Sequence, residues 1–172
     1  MFDHEIRWAT LIAMAVLVAM GQLLAETSGL WFAFPARPDW LWVLGFYAAL
    51  RTASGSALVA FATCGLVRDL ILGPTLGSAA IAYILVGWLV LSWRLLAAGH
   101  NIVTTVLLAG ATAFLESLVR HSLDYGPLAF RLVDKVFFAS VGDGVLTGIA
   151  YLPLMLVLSL GPFRPWEERS GY

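Results

Sequence analysis

The sequence predicts an all-α polytopic membrane protein, with about six transmembrane helices, the second one short, packed in a single bundle over residues 1–172. Three observations predict it. Hydrophobic residues make up 60% of the chain and charged residues only 12%, whereas a soluble domain keeps about a quarter of its residues charged to solvate its surface. The mean hydropathy is +0.87. The apolar residues also fall in blocks of bilayer-spanning length, separated by glycines, prolines and polar turns.

The elements follow in order. Residues 8–25 are an almost uninterrupted apolar run that ends at Glu26-Thr27-Ser28-Gly29; as a helix the run is roughly 27 Å long, close to the hydrocarbon thickness. Two acids precede the first Arg and no small-residue cleavage site follows the run, so this segment is expected to be a retained helix. Leu30 to Pro38 is aromatic and broken by Pro35 and Pro38, which reads as an interfacial loop with Trp31 and Phe34 at headgroup level. Residues 40–50 form the short second span, about 16 Å as a helix, so tilt or flanking residues must extend it. Arg51 to Ser56 reads as a tight turn. The third span, 57–72, carries Arg68-Asp69 near its end and stops at Gly73-Pro74. The fourth covers 76–96 and the fifth 102–119, followed by a polar connection from His121 to Lys135. The sixth, 136–160, is expected to be interrupted at Gly142-Asp143-Gly144 and at Pro153, and a short soluble tail follows.

An even number of spans returns the chain to its starting side. Arg7, Arg51, Arg94, Arg164 and Arg169 fall on that side; Arg37, Arg68, Arg120, Arg131 and Lys135 fall on the other. Arg68 and Arg120 each have an acid within a helical turn and are set inside the bundle, which leaves five cations against three and favours cytoplasmic termini.

Charge at membrane depth needs a partner or a purpose. Arg68 and Asp69 are adjacent, so on a helix they point about 100° apart and each needs its own partner. They form either a polar contact site near one membrane face or a helix-end pair that snorkels or caps the Gly-Pro turn. Glu116 and Arg120 stand at i, i+4 with the acid first, the favourable order for a same-face pair. Asp143 lies about two turns into the last span with Ser140 one turn before it and Lys135 further back; both a proton or ion site and a helix-packing contact fit. Gly144 and Gly148 make a small-residue face for close helix packing, and Gly73 and Gly77 straddle Pro74, which reads as turn chemistry.

Several function classes are not indicated. The net charge is -1 and no basic run points to nucleic acid. There is no Ser-His-Asp set, no H-E-x-x-H, no P-loop and no paired-carboxylate motif, so no enzyme, metal or cofactor is expected. His4, His100 and His121 sit at span ends or loops, and the single cysteine, Cys64, lies in an apolar block.

Two segments together resemble a known family. The first is Arg37-Pro38-Asp39 leading into Trp40-Leu41-Trp42-Val43-Leu44-Gly45-Phe46-Tyr47-Ala48-Ala49-Leu50-Arg51. The second is Gly65-Leu66-Val67-Arg68-Asp69-Leu70-Ile71-Leu72-Gly73-Pro74-Thr75-Leu76-Gly77, continuing through Ala80, Tyr83 and Gly87. Over residues 37–92 this resembles MreD, the rod shape-determining membrane protein family, although an apolar residue is usual where Arg68 stands. The resemblance implies a non-enzymatic, multi-pass subunit of the cell-elongation machinery in the bacterial inner membrane, with cytoplasmic termini and with Arg37, Pro38, Asp39, Gly65, Asp69, Gly73, Pro74 and Gly77 as motif positions. It implies MreC, a single-span protein, as direct partner, and through it MreB, RodA and a class B transpeptidase, all in the context of the lipid bilayer. The short second span and the Gly-Pro break are also similar to the six-helix substrate-binding subunits of energy-coupling-factor vitamin transporters. That alternative needs a polar outer pocket, for which loop 121–135 offers Asp124, Tyr125, Arg131 and Asp134, and a strong small-residue face on the first span, which the sequence lacks apart from Ala9-Ala13 and Ala15-Ala19.

Overall fold

The computed structural model describes residues 4–6, 8–28, 37–73, 75–98, 102–126, 133–159 and 166–168. Within them the order is β1 (His4–Ile6), α1 (Trp8–Thr27), α2 (Trp40–Ala49), α3 (Ser54–Ile71), α4 (Ser78–Ala98), α5 (Ile102–Tyr125), α6 (Val133–Ser159) and β2 (Trp166–Glu168). This is the predicted all-α membrane bundle with a short second helix. Helices α1, α3, α5 and most of α6 are long and apolar enough to cross a membrane; α2 and the Ser78–Trp93 part of α4 are shorter apolar stretches. The outer faces carry bare apolar side chains, among them Leu17 at 71% exposure and Phe138 at 73%, as expected of a surface solvated by lipid rather than water.

Most boundaries shift by a few residues from the sequence expectation, and the expected connection from His121 to Lys135 is helical at both ends. Helix α6 runs unbroken through Gly142-Asp143-Gly144 and Pro153, because helices inside a bundle tolerate glycine and proline where neighbours re-satisfy the backbone. Helix α5 continues past Val119 to Tyr125; its polar last turns are helix-competent, and Ser122 Oγ donates back to the Leu118 carbonyl at 2.8 Å. Helix α3 begins at Ser54 rather than at residue 57. Within the expected soluble tail, Trp166–Glu168 forms β2, which pairs antiparallel with β1. The aromatic segment with Trp31 and Phe34, and Pro74, lie outside the described residues.

Helix α2 is short, as expected, and every residue from Leu41 to Ala49 is buried. It forms the axis of the bundle and packs on α3, α6, α4 and α1. Its ten residues cover only about 15 Å, and this length suffices because the chain has already entered the bundle before the helix starts. Trp42 packs at 4.9 Å from the Phe61 ring and edge-on to Tyr83 at 5.1 Å. Phe61 is wedged between helices: a Cβ on Gly45 would sit 2.8 Å from its ring, and one on Gly87 2.5 Å. Phe46 stacks edge-on against Tyr151 of α6 at 5.6 Å.

Candidate functional site: a buried charge network around the start of α2

The entry of the chain into the bundle is built on Arg37-Pro38-Asp39. Away from water every backbone N–H needs a partner. The Arg37 N–H donates to Asp143 Oδ1 at 2.8 Å and the Asp39 N–H to Thr147 Oγ1 at 2.8 Å, both from α6. Between them stands Pro38, which has no N–H to satisfy. One turn of α6 therefore serves the whole tripeptide, and proline is the residue that fits between the two anchored donors.

Asp39 then opens α2. Its Oδ1 accepts the Trp42 N–H at 3.0 Å, an N-cap, and also the Tyr83 hydroxyl at 2.7 Å. Its Oδ2 lies 2.8 Å from Arg68 Nε; the N–H points off the line between them, so this contact is an ion pair rather than an aligned hydrogen bond. Both side chains are almost wholly enclosed, at 5% and 12% exposure. Asp39 and Arg68 thus join the two sequence segments that carry the family resemblance.

Asp69, next to Arg68, points elsewhere, as the 100° offset requires. A carboxylate in the last turn of α3 is unfavourable to that helix's own dipole. It turns instead to the start of α4, where Oδ2 accepts the Gly77 and Ala80 N–H groups and Oδ1 the Ala79 N–H, each at 3.0 Å. Asp69 is therefore the N-terminal cap of α4, supplied from a different helix. Gly77 makes the turn possible with φ +96°, a left-handed conformation. Gly73 packs on Asp69, where a Cβ would come 2.9 Å from the Asp69 Cα. At Gly65, helices α3 and α4 touch backbone to backbone, and a Cβ would lie 2.6 Å from the Ala80 Cα. The small residues of this motif thus serve contact with α4.

The third part lies on α5 and α6. Arg120 Nε sits 3.0 Å from Glu116 Oε1, the i, i+4 pair, and Arg120 Nη2 lies 3.8 Å from Asp143 Oδ2. Asp143 Oδ2 also accepts the Ser117 hydroxyl at 2.7 Å. Lys135 is exposed and takes no part in the network, and Ser140 is buried with its Oγ unpartnered. At the rim, Arg37 Nη1 pairs with Glu26 Oε2 at 3.1 Å, tying α1 to the entry segment, and the Thr75 hydroxyl donates to Asp124.

Gly144 and Gly148 pack against α5. A Cβ on Gly144 would lie 2.8 Å from the Gly110 carbonyl oxygen, and one on Gly148 would lie 3.1 Å from the Gly110 Cα. Gly110 completes this contact and was not singled out from the sequence; its signal was a lone glycine in an otherwise apolar helix. Beside the contact the two helices leave an apolar groove of about 590 Å³, lined by Leu107, Gly110, Phe114, Val141, Val145 and Ile149 among others. Leu107 and Val145 are exposed along it, at 67% and 58%.

Sequence reasoning identified each charged member of the network but missed most of the pairing. It also missed Tyr83, Ser117 and Thr147 as its polar partners. Among the described residues no group of three or more His, Cys, Asp or Glu side chains could hold a metal ion. Chemically the network is a set of buried charges and hydrogen bonds that links α2, α3, α4, α5 and α6. No family model, curated protein or solved structure matches the chain.

Proposed function

We propose that this chain is a non-enzymatic membrane subunit of the bacterial cell-elongation complex, of the MreD type, which binds MreC and supports peptidoglycan synthesis and cell shape. One observation carries the reading: Asp39 of the first family-like segment lies 2.8 Å from Arg68 of the second. Residues 37–92, where the resemblance lies, are thereby one physical unit, and the unusual Arg68 has a defined partner. The unit is structural, with its polar groups turned on one another and on helix ends.

MreC would bind through its single membrane helix. Lipid gives little hydrophobic drive for helix association, so such a contact rests on close packing at small residues. Helix α2 is enclosed and offers no face for it. The α5–α6 groove, with the Gly110 and Gly144 backbone close to its floor, supports docking there. MreB, RodA and a class B transpeptidase would associate through MreC. The pairing of β1 with β2 supports termini on one side of the membrane, and the five-to-three charge count supports the cytoplasmic side of the inner membrane. Depletion in a rod-shaped host tests the reading: cells should round up, and cells that keep their rod shape would contradict it.

The vitamin-transporter reading retains one favourable feature, since Ala9 and Ala13 lie on the exposed face of α1 while Ala15 and Ala19 are buried. Against it, Asp124 of the outer connection is engaged by Thr75.

A further inference from the structure

Among the described residues the charges inside the bundle do not balance. Asp39 at the head of α2, Arg68 on α3 and Tyr83 on α4 form one group, and Glu116 and Arg120 on α5 with Asp143 on α6 form a second, the two joined through the entry segment where the Arg37 N–H meets Asp143. Together they hold three carboxyl groups and two guanidinium groups, and the excess carboxyl lies in the second group. The neighbouring charges are used elsewhere. Asp69 accepts three N–H groups of α4. The Arg37 side chain pairs with Glu26. His121, half-buried on α5 at the edge of the cluster, places Nδ1 2.8 Å from the Ser117 carbonyl. An uncompensated carboxylate in such surroundings is costly, and the usual resolution is to bind a proton.

Counting donors identifies which group takes it. Asp39 has the Tyr83 hydroxyl, the Trp42 N–H and Arg68. Asp143 has the Arg37 N–H, the Ser117 hydroxyl and, at 3.8 Å, Arg120. Among the described residues Glu116 has Arg120 alone, at 3.0 Å, and at 1% exposure it is the most enclosed of the three. Each donor favours the ionised form of the carboxyl it serves, so Glu116 is the one least held as an anion.

We propose that the bundle core is a binding site for a single proton, with Glu116 as its acceptor. Glu116 carboxylate plus a proton gives the neutral acid, and no other bond changes. The remaining charges then match two to two, Arg68 with Asp39 and Arg120 with Asp143. Arg120 already lies 3.0 Å from Glu116 and 3.8 Å from Asp143; loss of the proton strengthens the first contact at the expense of the second, and Asp143 is the residue that anchors the Arg37 N–H. Proton occupancy is thereby coupled to the entry of the chain into α2.

The full chain in lipid nanodiscs tests this by infrared spectroscopy at neutral pH. The unmodified protein should show the carbonyl band of a buried carboxylic acid. That band should vanish in Glu116→Gln. It should also vanish in Asp143→Asn, although Glu116 is intact there, because two carboxylates then meet two guanidinium groups. Absence of the band from the unmodified protein, its survival in Glu116→Gln, or its survival in Asp143→Asn would each overturn the proposal. The unmodified protein alone decides the first arm, whatever the folding of the variants.

Discussion

Replacing Asp69 with Ala removes a cap that α4 receives from the neighbouring helix α3. The carboxylate accepts three backbone N–H groups at 3.0 Å and is 4% exposed. An ordinary N-cap is worth about 0.5–2 kcal/mol, with one donor satisfied and water nearby. Here three donors lose a charged acceptor in an enclosed turn, and each buried orphan costs about 1–3 kcal/mol before relaxation. Fraying of the first turn of α4 recovers part of that. The expected loss is about 3 kcal/mol, or roughly 6–12 °C in midpoint for a chain of this size. Cys64→Ala is the control: the thiol is buried and free, and deleting one such atom costs about 1 kcal/mol. Asp69→Asn keeps one accepting oxygen and should fall between the two. Thermal unfolding in detergent, followed by the fluorescence of the seven tryptophans, reads all three. Equal midpoints for Asp69→Ala and Cys64→Ala would refute the capping argument.

Further expectations use the same preparation. Gly77→Leu meets no neighbour within 4 Å yet must hold φ +96°, so it should cost about 1–2 kcal/mol through the backbone alone; an unchanged midpoint would mean that the turn relaxes freely. Arg68→Ala strands the Asp39 carboxylate and should cost about 3–5 kcal/mol, much of it recovered by adding Asp39→Asn; a double variant no better than the single would deny the pairing. Gly144→Leu drives a side chain into Gly110 and Phe114 and should part α5 from α6, seen as faster proteolysis or loss of the folded species. A periplasm-sensitive reporter fused to Tyr172 should give the cytoplasmic signal, and a periplasmic C-terminus would reject the proposed orientation.

What could be read from the chain and what could not divide along sequence distance. The apolar blocks placed all six helices, and the Glu116–Arg120 spacing fixed a local pair that the structure shows at 3.0 Å. Adjacency on a helix correctly separated Arg68 from Asp69. The partners themselves were not legible: Asp39 meets Arg68 and Arg37 meets Asp143 only because α2, α3 and α6 converge. Nor could composition tell that α2 is enclosed, since an apolar helix facing lipid and one facing protein use the same side chains. Gly142-Asp143-Gly144 and Pro153 looked like breaks because soluble helices rarely carry them. Inside the bundle, Gly144 instead provides contact with α5 and Asp143 anchors the entry to α2.

The central claim is the partner, and retention from native membranes tests it most directly. The tagged chain, solubilised gently and purified, should carry a single-span MreC-type protein in a stoichiometric complex. Val145→Trp, which fills the α5–α6 groove from its exposed side, should weaken that complex without lowering the midpoint of the free protein. Tight stoichiometric retention of a vitamin, with no MreC-type protein bound, would contradict the account.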